Sequence, residues 1–272
     1  MFKTLKDYKR QITISIIGFI VICLFICMIN VFAFSKNAYK ISTTEVVSSK
    51  LPNEFNNFTI AYFSDVHLNT KKDVNRFLTI INDLNQNDFD MVLFGGDLYE
   101  SKIIEQNKII KALSSIHTKY GKFAVLGNED DEASSENISL LNDGGFEVLD
   151  NEQRVIYYKK SKIYLYGEST KGNVSINDDG YSLVLSHYPD TFKLNKKTCD
   201  LQLSGHTGGG YIYLPFIGSL IKDKNGKLYS HGTYKEKNAT LIISNGISPK
   251  SSFPYKLNTK NEVNLITLKK SA

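Results

Sequence analysis

The pattern of hydrophobic and polar positions begins with one long apolar run near the N-terminus. Residues 12–34, ITISIIGFIVICLFICMINVFAF, contain no charged side chain. At about 1.5 Å per residue, a helix of this length crosses a hydrocarbon layer ~30 Å thick. Residues 1–34 are therefore predicted to form a short tip and a membrane anchor whose span covers about residues 12–34.

The flanking charges predict the orientation of this anchor. Four basic residues precede the run (Lys3, Lys6, Lys9 and Arg10), and excess positive charge keeps a flank in the cytoplasm. We expect a single-pass cell-membrane protein with a cytoplasmic N-terminus and its main domain outside the cytoplasm. The alternative is a cleaved signal peptide with a weak cleavage site at residues 31–33, but the run exceeds the ~7–15 apolar residues of such segments.

Residues 35–57 are polar and contain Pro52, which is typical of a tether, so the globular domain is predicted over residues 58–272. From Phe58 onward, short apolar β-rich runs alternate with stretches of helical spacing. The runs are 58–63, 91–94 and 123–126, and the helical stretches are 74–84 and 103–116. Strands separated by such helices indicate βαβ units and a mixed or parallel sheet.

The second half of the domain consists of strand-like runs with only short helices between them. These runs are 155–158, 163–166, 183–185, 201–203, 241–243 and 263–268. One sheet followed by a second predicts an α/β sandwich of two sheets with helices outside.

The net charge of +5 does not indicate a nucleic-acid-binding domain. Residues 1–40 hold six of the 33 basic residues and one of the 28 acidic residues, so the rest of the chain has a formal net charge of zero. No nucleic-acid partner is therefore expected. A disulfide within the domain is excluded, because Cys23 and Cys27 lie in the apolar run and Cys199 stands alone.

Polar residues follow five of the predicted strands at the point where each strand ends. They stand in the segments Asp65-Val66-His67, Gly95-Gly96-Asp97, Gly127-Asn128, Ser186-His187 and Ser204-Gly205-His206. Each segment alone is an ordinary turn, but strand ends of an open α/β sheet converge on one crevice. Carboxylates, imidazoles and an amide gathered there suit two divalent cations (Mn, Fe or Zn) with one bridging carboxylate.

In this order the motifs resemble those of the calcineurin-like metallophosphoesterases, in particular their membrane-associated bacterial branch. The family pattern D-x-H, GGDL, GNH(D/E), L-S-H-x-P-D and GHTHGG corresponds to segments that begin at Asp65, Gly95, Gly127, Leu185 and Gly205. The resemblance covers about residues 58–268 and implies a four-layer αββα sandwich with a dinuclear site at one edge.

The resemblance also implies a role for each matching residue. The six implied metal ligands are Asp65, His67, Asp97, Asn128, His187 and His206. The first two would bind one metal, the last three would bind the other, and Asp97 would bridge both.

The implied activity is metal-dependent phosphoester hydrolysis, in which a metal-bridging hydroxide attacks phosphorus. Asp97, Asn128 and Glu129 would take part in catalysis. Together with the anchor, this suggests a membrane-proximal or envelope phosphoester, including a lipid-linked one, as the substrate. No protein partner is inferred.

Two positions depart from the family pattern. Glu129 stands where the family has a histidine that assists the leaving group, and an ordinary glutamate is negative at neutral pH. It would donate a proton only if burial or a neighbouring charge raised its pKa, or it would serve as an additional ligand. Gly208 replaces the second histidine of the G-H-x-H pair, which leaves the first metal with three protein ligands. His231 is either a substitute for it or an ordinary loop histidine.

Three interpretations stay open on this basis. One is a phosphoester hydrolase of reduced activity, or one that prefers good leaving groups. The second is a degenerate member that binds metal or a phosphorylated ligand with little turnover, and the third is a structural module at the cell surface. The apolar segment 208–217 beside His206 is either a rim of the substrate site that touches lipid or a buried loop.

Overall fold

The computed structural model describes residues 5–29, 37–170, 174–176 and 180–271. Helix α1 spans Leu5–Ile29, and its described side chains are exposed although most are apolar. Within the described residues it is the one helix long and apolar enough to cross a membrane, over Asp7–Ile26, by length and composition. It begins before the predicted span of 12–34, and residues 30–34 lie outside the described ranges.

The first sheet contains six strands. They are β1 Tyr39–Ser48, β2 Thr59–Phe63, β3 Met91–Phe94, β4 Lys122–Ala124, β5 Glu147–Val148 and β14 Asn261–Lys270. Their order across the sheet is β1-β14-β2-β3-β4-β5. β2 to β5 run parallel, β14 is antiparallel to β2, and β1 is parallel to β14. The carboxyl ends of β2, β3 and β4 therefore share one edge with the amino ends of β1 and β14.

The second sheet also contains six strands. They are β6 Glu152–Tyr158, β7 Ser161–Glu168, β8 Ser182–Ser186, β9 Leu201–Ser204, β12 Gly232–Glu236 and β13 Ala239–Ile243. Their order is β12-β13-β9-β8-β7-β6. The four inner strands run parallel and the two outer strands are antiparallel to their neighbours. The carboxyl ends of β8 and β9 therefore lie together.

The remaining elements are helices and one small hairpin. The α-helices are α2 Lys71–Leu84, α3 Gln106–Ser114, α4 Ser134–Asp143 and α5 Phe192–Asn195, and the hairpin consists of β10 Tyr213–Leu214 and β11 Gly218–Ser219. Short 3-10 helices span Asn53–Phe55, Asp131–Ala133, Pro189–Thr191 and Gly208–Gly210. Helix α2 begins at a capping box, because Thr70 Oγ1 accepts from the backbone N–H of Asp73 and Asp73 Oδ2 accepts from that of Thr70.

Three buried apolar clusters define the layers. One lies between the two sheets and joins residues such as Leu93 of β3 and Leu185 of β8. A second joins the outer face of the first sheet to α2, α3 and α4, and a third joins the outer face of the second sheet to Phe192 of α5. This arrangement confirms the predicted αββα sandwich.

Two parts of the chain differ from the sequence-based expectation. The segment expected to be a tether over residues 35–57 contains β1, which pairs with β14 along its whole length of 10 residues. The hydrophobic pattern missed this edge strand because only Val46 of its residues is buried. The last strand, expected with the second sheet, lies in the first between β1 and β2.

Candidate metal centre

Four of the six predicted ligand residues have a left-handed backbone conformation. Asp65, His67, Asp97 and His206 have φ angles of 52°, 49°, 60° and 70°. Residues other than glycine adopt such angles rarely, and strained positions of this kind cluster at functional sites. The sharp turns after β2, β3 and β9 bring these side chains to the shared edge of the two sheets.

Asp65, His67 and Asp97 form the first group of this centre, and all three are buried. One ligand atom from each lies within 4.8 Å of the others. His67 Nε2 is 3.7 Å from Asp65 Oδ1 and 3.8 Å from Asp97 Oδ2, too far for a hydrogen bond. Two atoms each about 2.0–2.2 Å from one ion can lie up to about 4 Å apart, so these distances fit a shared cation.

Asp97 connects this first group to the remaining predicted ligands. Its Oδ2 lies 3.4 Å from His187 Nε2, and the His206 ring lies 5.1 Å from the His187 ring. Asn128 directly precedes Glu129, whose backbone N–H donates to Asp97 Oδ1 at 2.9 Å. The structure thus brings all six predicted ligand residues to one edge.

Within the part of the chain that the structure describes, five of the predicted ligand residues have a buried side-chain atom without a hydrogen-bond partner. These atoms include Asp97 Oδ2, Asn128 Oδ1, His187 Nε2 and His206 Nδ1. Native proteins rarely leave buried polar atoms unpaired, unless another group such as an ion completes the site. Carboxylate, amide and imidazole atoms are ligands for divalent transition metals. The residues present therefore fit divalent cations.

Backbone carbonyls orient two of the imidazoles. His187 Nδ1 donates to the Gly95 carbonyl at 2.7 Å, and His206 Nε2 donates to the Lys224 carbonyl at 2.6 Å. In the neutral ring each bond leaves the other nitrogen as the free ligand atom. The backbone N–H of His206 also donates to both carboxylate oxygens of Asp65 at 3.0 Å, which ties the two sheets together at the site.

The buried charges of the centre perturb one another. Burial acts to raise the pKa of Asp97, but positive charge at His187 and His67 lowers it overall. Burial acts to lower the pKa of His187, but the charge of Asp97 raises it to about 9. Burial lowers the pKa of His67 and of His206, so both rings lose a proton more readily than an ordinary histidine. The carboxylates thus favour positive charge at this edge, and a divalent cation would supply it.

Two motif glycines are required by close packing against the carboxylates. A Cβ on Gly127 would lie 2.1 Å from Asp97 Oδ1, and a Cβ on Gly205 would lie 2.3 Å from Asp65 Oδ2. Any side chain at either position would displace a predicted ligand.

Comparison with known proteins agrees with this geometry. A family model of calcineurin-like phosphoesterases matches residues 58–210, more than half of the chain. The chain belongs to the calcineurin-like phosphoesterase family. It is 31% identical over 248 residues to the metallophosphoesterase YkuE of Bacillus subtilis. The matched region covers 85% of this chain and 86% of that protein.

Two further relatives are more distant. The phosphodiesterase YaeI of Escherichia coli is 25% identical over 194 residues, which is 66% of this chain and 70% of that protein. A transmembrane protein with a metallophosphoesterase domain from Danio rerio is 21% identical over 259 residues, which is 85% of this chain and 58% of that protein. The family is metal-dependent and hydrolyses phosphoesters, which gives the general activity class of this chain.

At the first departure from the calcineurin-like phosphoesterase pattern, a lysine lies next to the substituted residue. Glu129 Oε1 accepts a hydrogen bond from Lys250 Nζ at 2.5 Å and one from Asn128 Nδ2 at 2.9 Å. Burial acts to lower the pKa of Lys250, but the bond to Glu129 and the charge of Asp97 raise it overall. A cationic group therefore lies beside the centre, although the family histidine is absent.

At the second departure, an aromatic ring occupies the neighbouring space. A Cβ on Gly208 would lie 3.1–3.4 Å from ring atoms of Tyr211. Burial and the charge of Asp65 raise the pKa of the Tyr211 phenol, so it stays protonated. His231, the candidate substitute, instead bonds through Nδ1 to a backbone carbonyl at 3.1 Å and stacks on Tyr213 at 4.2 Å between ring centroids.

Asp130 organises the loops that carry Asp97 and Asn128. Its Oδ2 accepts from the backbone N–H groups of Asp97 at 2.7 Å and Gly127 at 2.8 Å, and its Oδ1 accepts from that of Leu98 at 3.1 Å. Burial and the charge of Asp97 raise the pKa of Asp130 to about 7, against the effect of these three donors. The sequence motif contained Asp130, but only the folded chain reveals its partners.

Proposed function

We propose that this chain is a membrane-anchored phosphoester hydrolase that binds two divalent cations, of Mn, Fe or Zn. The proposed ligands are Asp65 and His67 for one ion, Asn128, His187 and His206 for the other, and Asp97 for both. The observation that supports this assignment best is the set of buried ligand atoms that have no hydrogen-bond partner near Asp97.

When bound, such cations polarise the phosphoryl group and activate a water molecule for attack on phosphorus. The residues of the chain would hold the ester in place and offset its charge. Lys250, beside Glu129 and Asp97, would bind a phosphoryl oxygen and neutralise the repulsion from Glu129. Asn128, held through its Nδ2 by Glu129, would keep its Oδ1 directed into the centre.

We propose that α1 anchors the protein in the cell membrane, with the N-terminus in the cytoplasm and the catalytic domain outside. The apolar window Asp7–Ile26 and the basic residues at its N-terminal flank support this orientation. Tethering raises the local concentration of substrates at the membrane, which favours a membrane-proximal or envelope phosphoester. A lipid-linked phosphoester is the substrate class that gains most from such an arrangement.

Metal analysis and turnover of the purified full chain test the hydrolase proposal. We expect bound Mn, Fe or Zn, and hydrolysis of para-nitrophenyl phosphate or its diester in detergent. Asp97→Ala should remove both the metal and the activity, whereas Asp143→Ala, at an exposed carboxylate on α4, should change neither. Bound metal without turnover of any ester would contradict hydrolysis, and absence of bound metal would contradict the metal centre.

A degenerate member that binds metal or a phosphorylated ligand without turnover is the second candidate. Glu129 and Gly208 favour it, because both replace family histidines. Restoring histidine at both positions, together with Tyr211→Ala to clear the space beside position 208, separates the two candidates. A large gain in rate would support the degenerate member, and an already substantial rate that changes little would support the active hydrolase.

A further inference from the structure

The hairpin of β10 and β11 presents an apolar tip to solvent. Phe216 is fully exposed and Ile217 is 72% exposed, while Leu220 and Leu228 in the segment after β11 are each more than half exposed. Phe216 also has a φ of 69°, which is rare for a bulky residue and directs the chain through a tight turn. Isolated surface hydrophobics are ordinary, but a contiguous group of large ones marks an interaction surface.

Basic side chains follow this tip along the chain. Lys222, Lys224 and Lys227 are exposed in the segment that follows the hairpin, against one acidic residue, the partly buried Asp223. Interfacial segments that bind lipid bilayers typically combine large apolar residues with lysines. The apolar groups enter the interface, and the lysines meet anionic headgroups. We call residues 214–228 the apolar–basic loop.

The apolar–basic loop borders the metal centre directly. The carbonyl of Lys224 accepts the bond from His206 Nε2, and Ser219 of β11 lies against Gly210 in the loop that follows His206. On its other side the hairpin is held by Leu257, which exchanges backbone hydrogen bonds with Tyr213 and Tyr211. The base of the loop, at Ser219 and Lys224, is thus fixed beside the centre.

The chain from the membrane helix enters the domain at the same edge. β1 is parallel to β14, so Tyr39 lies opposite Asn261, and Asn261 Nδ2 donates to the carbonyl of Ala38. Asn261 follows closely on Leu257, which holds the hairpin. Asn37 lies eight residues after Ile29 at the end of α1, and at ~3.3–3.6 Å per residue that stretch of chain reaches less than about 30 Å.

We propose that the apolar–basic loop inserts into the bilayer interface, so that the metal centre faces the membrane that holds α1. The phosphoester would then reach the centre from the lipid surface, as a headgroup or lipid-linked phosphate. This last step rests on the proposed hydrolase function, whereas the membrane contact does not. The binding partner that we assign to the apolar–basic loop is a lipid bilayer.

A single introduced tryptophan tests the contact, because the chain has no tryptophan of its own. The full chain would carry Phe216→Trp and be reconstituted in vesicles of phosphatidylglycerol and brominated phosphatidylcholine. The matched control is Tyr157→Trp, which is 66% exposed on β6 at the opposite end of the second sheet. Bromine quenches only fluorophores that enter the bilayer, and neither substitution removes a buried contact.

We expect the tryptophan at position 216 to be quenched at least about three-fold more strongly than the one at position 157. Replacing Lys222, Lys224 and Lys227 by Gln should weaken this quenching in anionic vesicles but not in purely zwitterionic ones. Equal quenching of both tryptophans, or none at position 216, would overturn the proposal.

A comparison of hydrolysis rates for a vesicle-bound ester and a soluble ester tests the substrate route. Phe216→Asp should slow hydrolysis of a phosphoester carried in the vesicle by about ten-fold or more, while hydrolysis of soluble para-nitrophenyl phosphate stays unchanged. Equal effects on the two esters would overturn the route from the lipid surface. If neither ester is hydrolysed by the natural chain, the hydrolase proposal fails, and the quenching result still decides the membrane contact.

Discussion

Replacement of Lys250 by methionine removes the cation from the metal edge while keeping a side chain of similar length. Its Nζ lies 2.5 Å from Glu129 Oε1, and the two side chains are 23% and 26% exposed. The backbone N–H of Glu129 donates to Asp97 Oδ1, so Glu129 connects the lysine to the proposed bridging ligand. The substitution leaves Glu129 as an unpaired negative charge where a phosphoryl group would bind.

The expected loss follows from these contacts. Removing one preorganised electrostatic donor from an active site lowers kcat by about 100- to 1,000-fold, or ~2.7–4 kcal/mol. Both partners are about a quarter exposed, so water screens the pair and the lower end applies. We therefore expect kcat to fall about 100-fold, with little change in bound metal, since Lys250 is not among the proposed ligands.

Steady-state kinetics of the metal-loaded full chain with a soluble phosphoester provide the assay, together with elemental analysis. Lys250→Arg keeps the charge and should retain most of the activity. Glu129→Gln combined with Lys250→Met should recover part of the loss, because the unpaired carboxylate is gone. A kcat of Lys250→Met within about two-fold of the natural chain would refute a role of Lys250 in charge stabilisation.

Two further predictions concern the shape of the centre. Asp130→Asn should destabilise the fold by about 3 kcal/mol, because the amide has one accepting oxygen where the carboxylate has two, so in either orientation a buried backbone N–H faces the NH2 donor. This should lower Tm in a thermal melt by roughly 6–12 °C, and an unchanged Tm would contradict the bonding pattern. Gly208→His alone should bind metal no more tightly, because Tyr211 fills the adjoining space, whereas Gly208→His with Tyr211→Ala should tighten binding in a metal titration. Equal affinities of these two variants would show that the Tyr211 ring does not block a ligand.

The sandwich and the location of the site were accessible from sequence because both depend on local patterns. Apolar runs of strand length ending in Gly, Asp, Asn or His predicted the carboxyl ends of β2, β3, β8 and β9, and these ends do share one edge. The positive φ angles of Asp65 and Asp97 explain why such short polar turns follow those strands. β1 escaped detection because an exposed edge strand has no continuous apolar face.

No local sequence pattern indicated the contacts that Lys250, Asp130 and Tyr211 make at the site. Lys250 reaches Glu129 across 121 residues, from a loop without a motif, and Asp130 meets its backbone partners 32 and 33 residues upstream. Tyr211 lies beside Gly208 only because of an unusual turn in its own backbone, with a φ of 52°. Pairings of this kind depend on how strands register and loops pack, which no local periodicity encodes.

By itself the sequence determined an apolar N-terminal segment, two groups of strands and six candidate ligands placed after strands. Hydropathy and periodicity carry that information, because they report how each side chain is exposed along its own element. Only the tertiary structure decided that a lysine accompanies Glu129, that β1 enters at the metal edge, and that an apolar hairpin borders the same edge. These features arise from the parallel and antiparallel pairing of distant strands, which sets which loops meet at each end of a sheet.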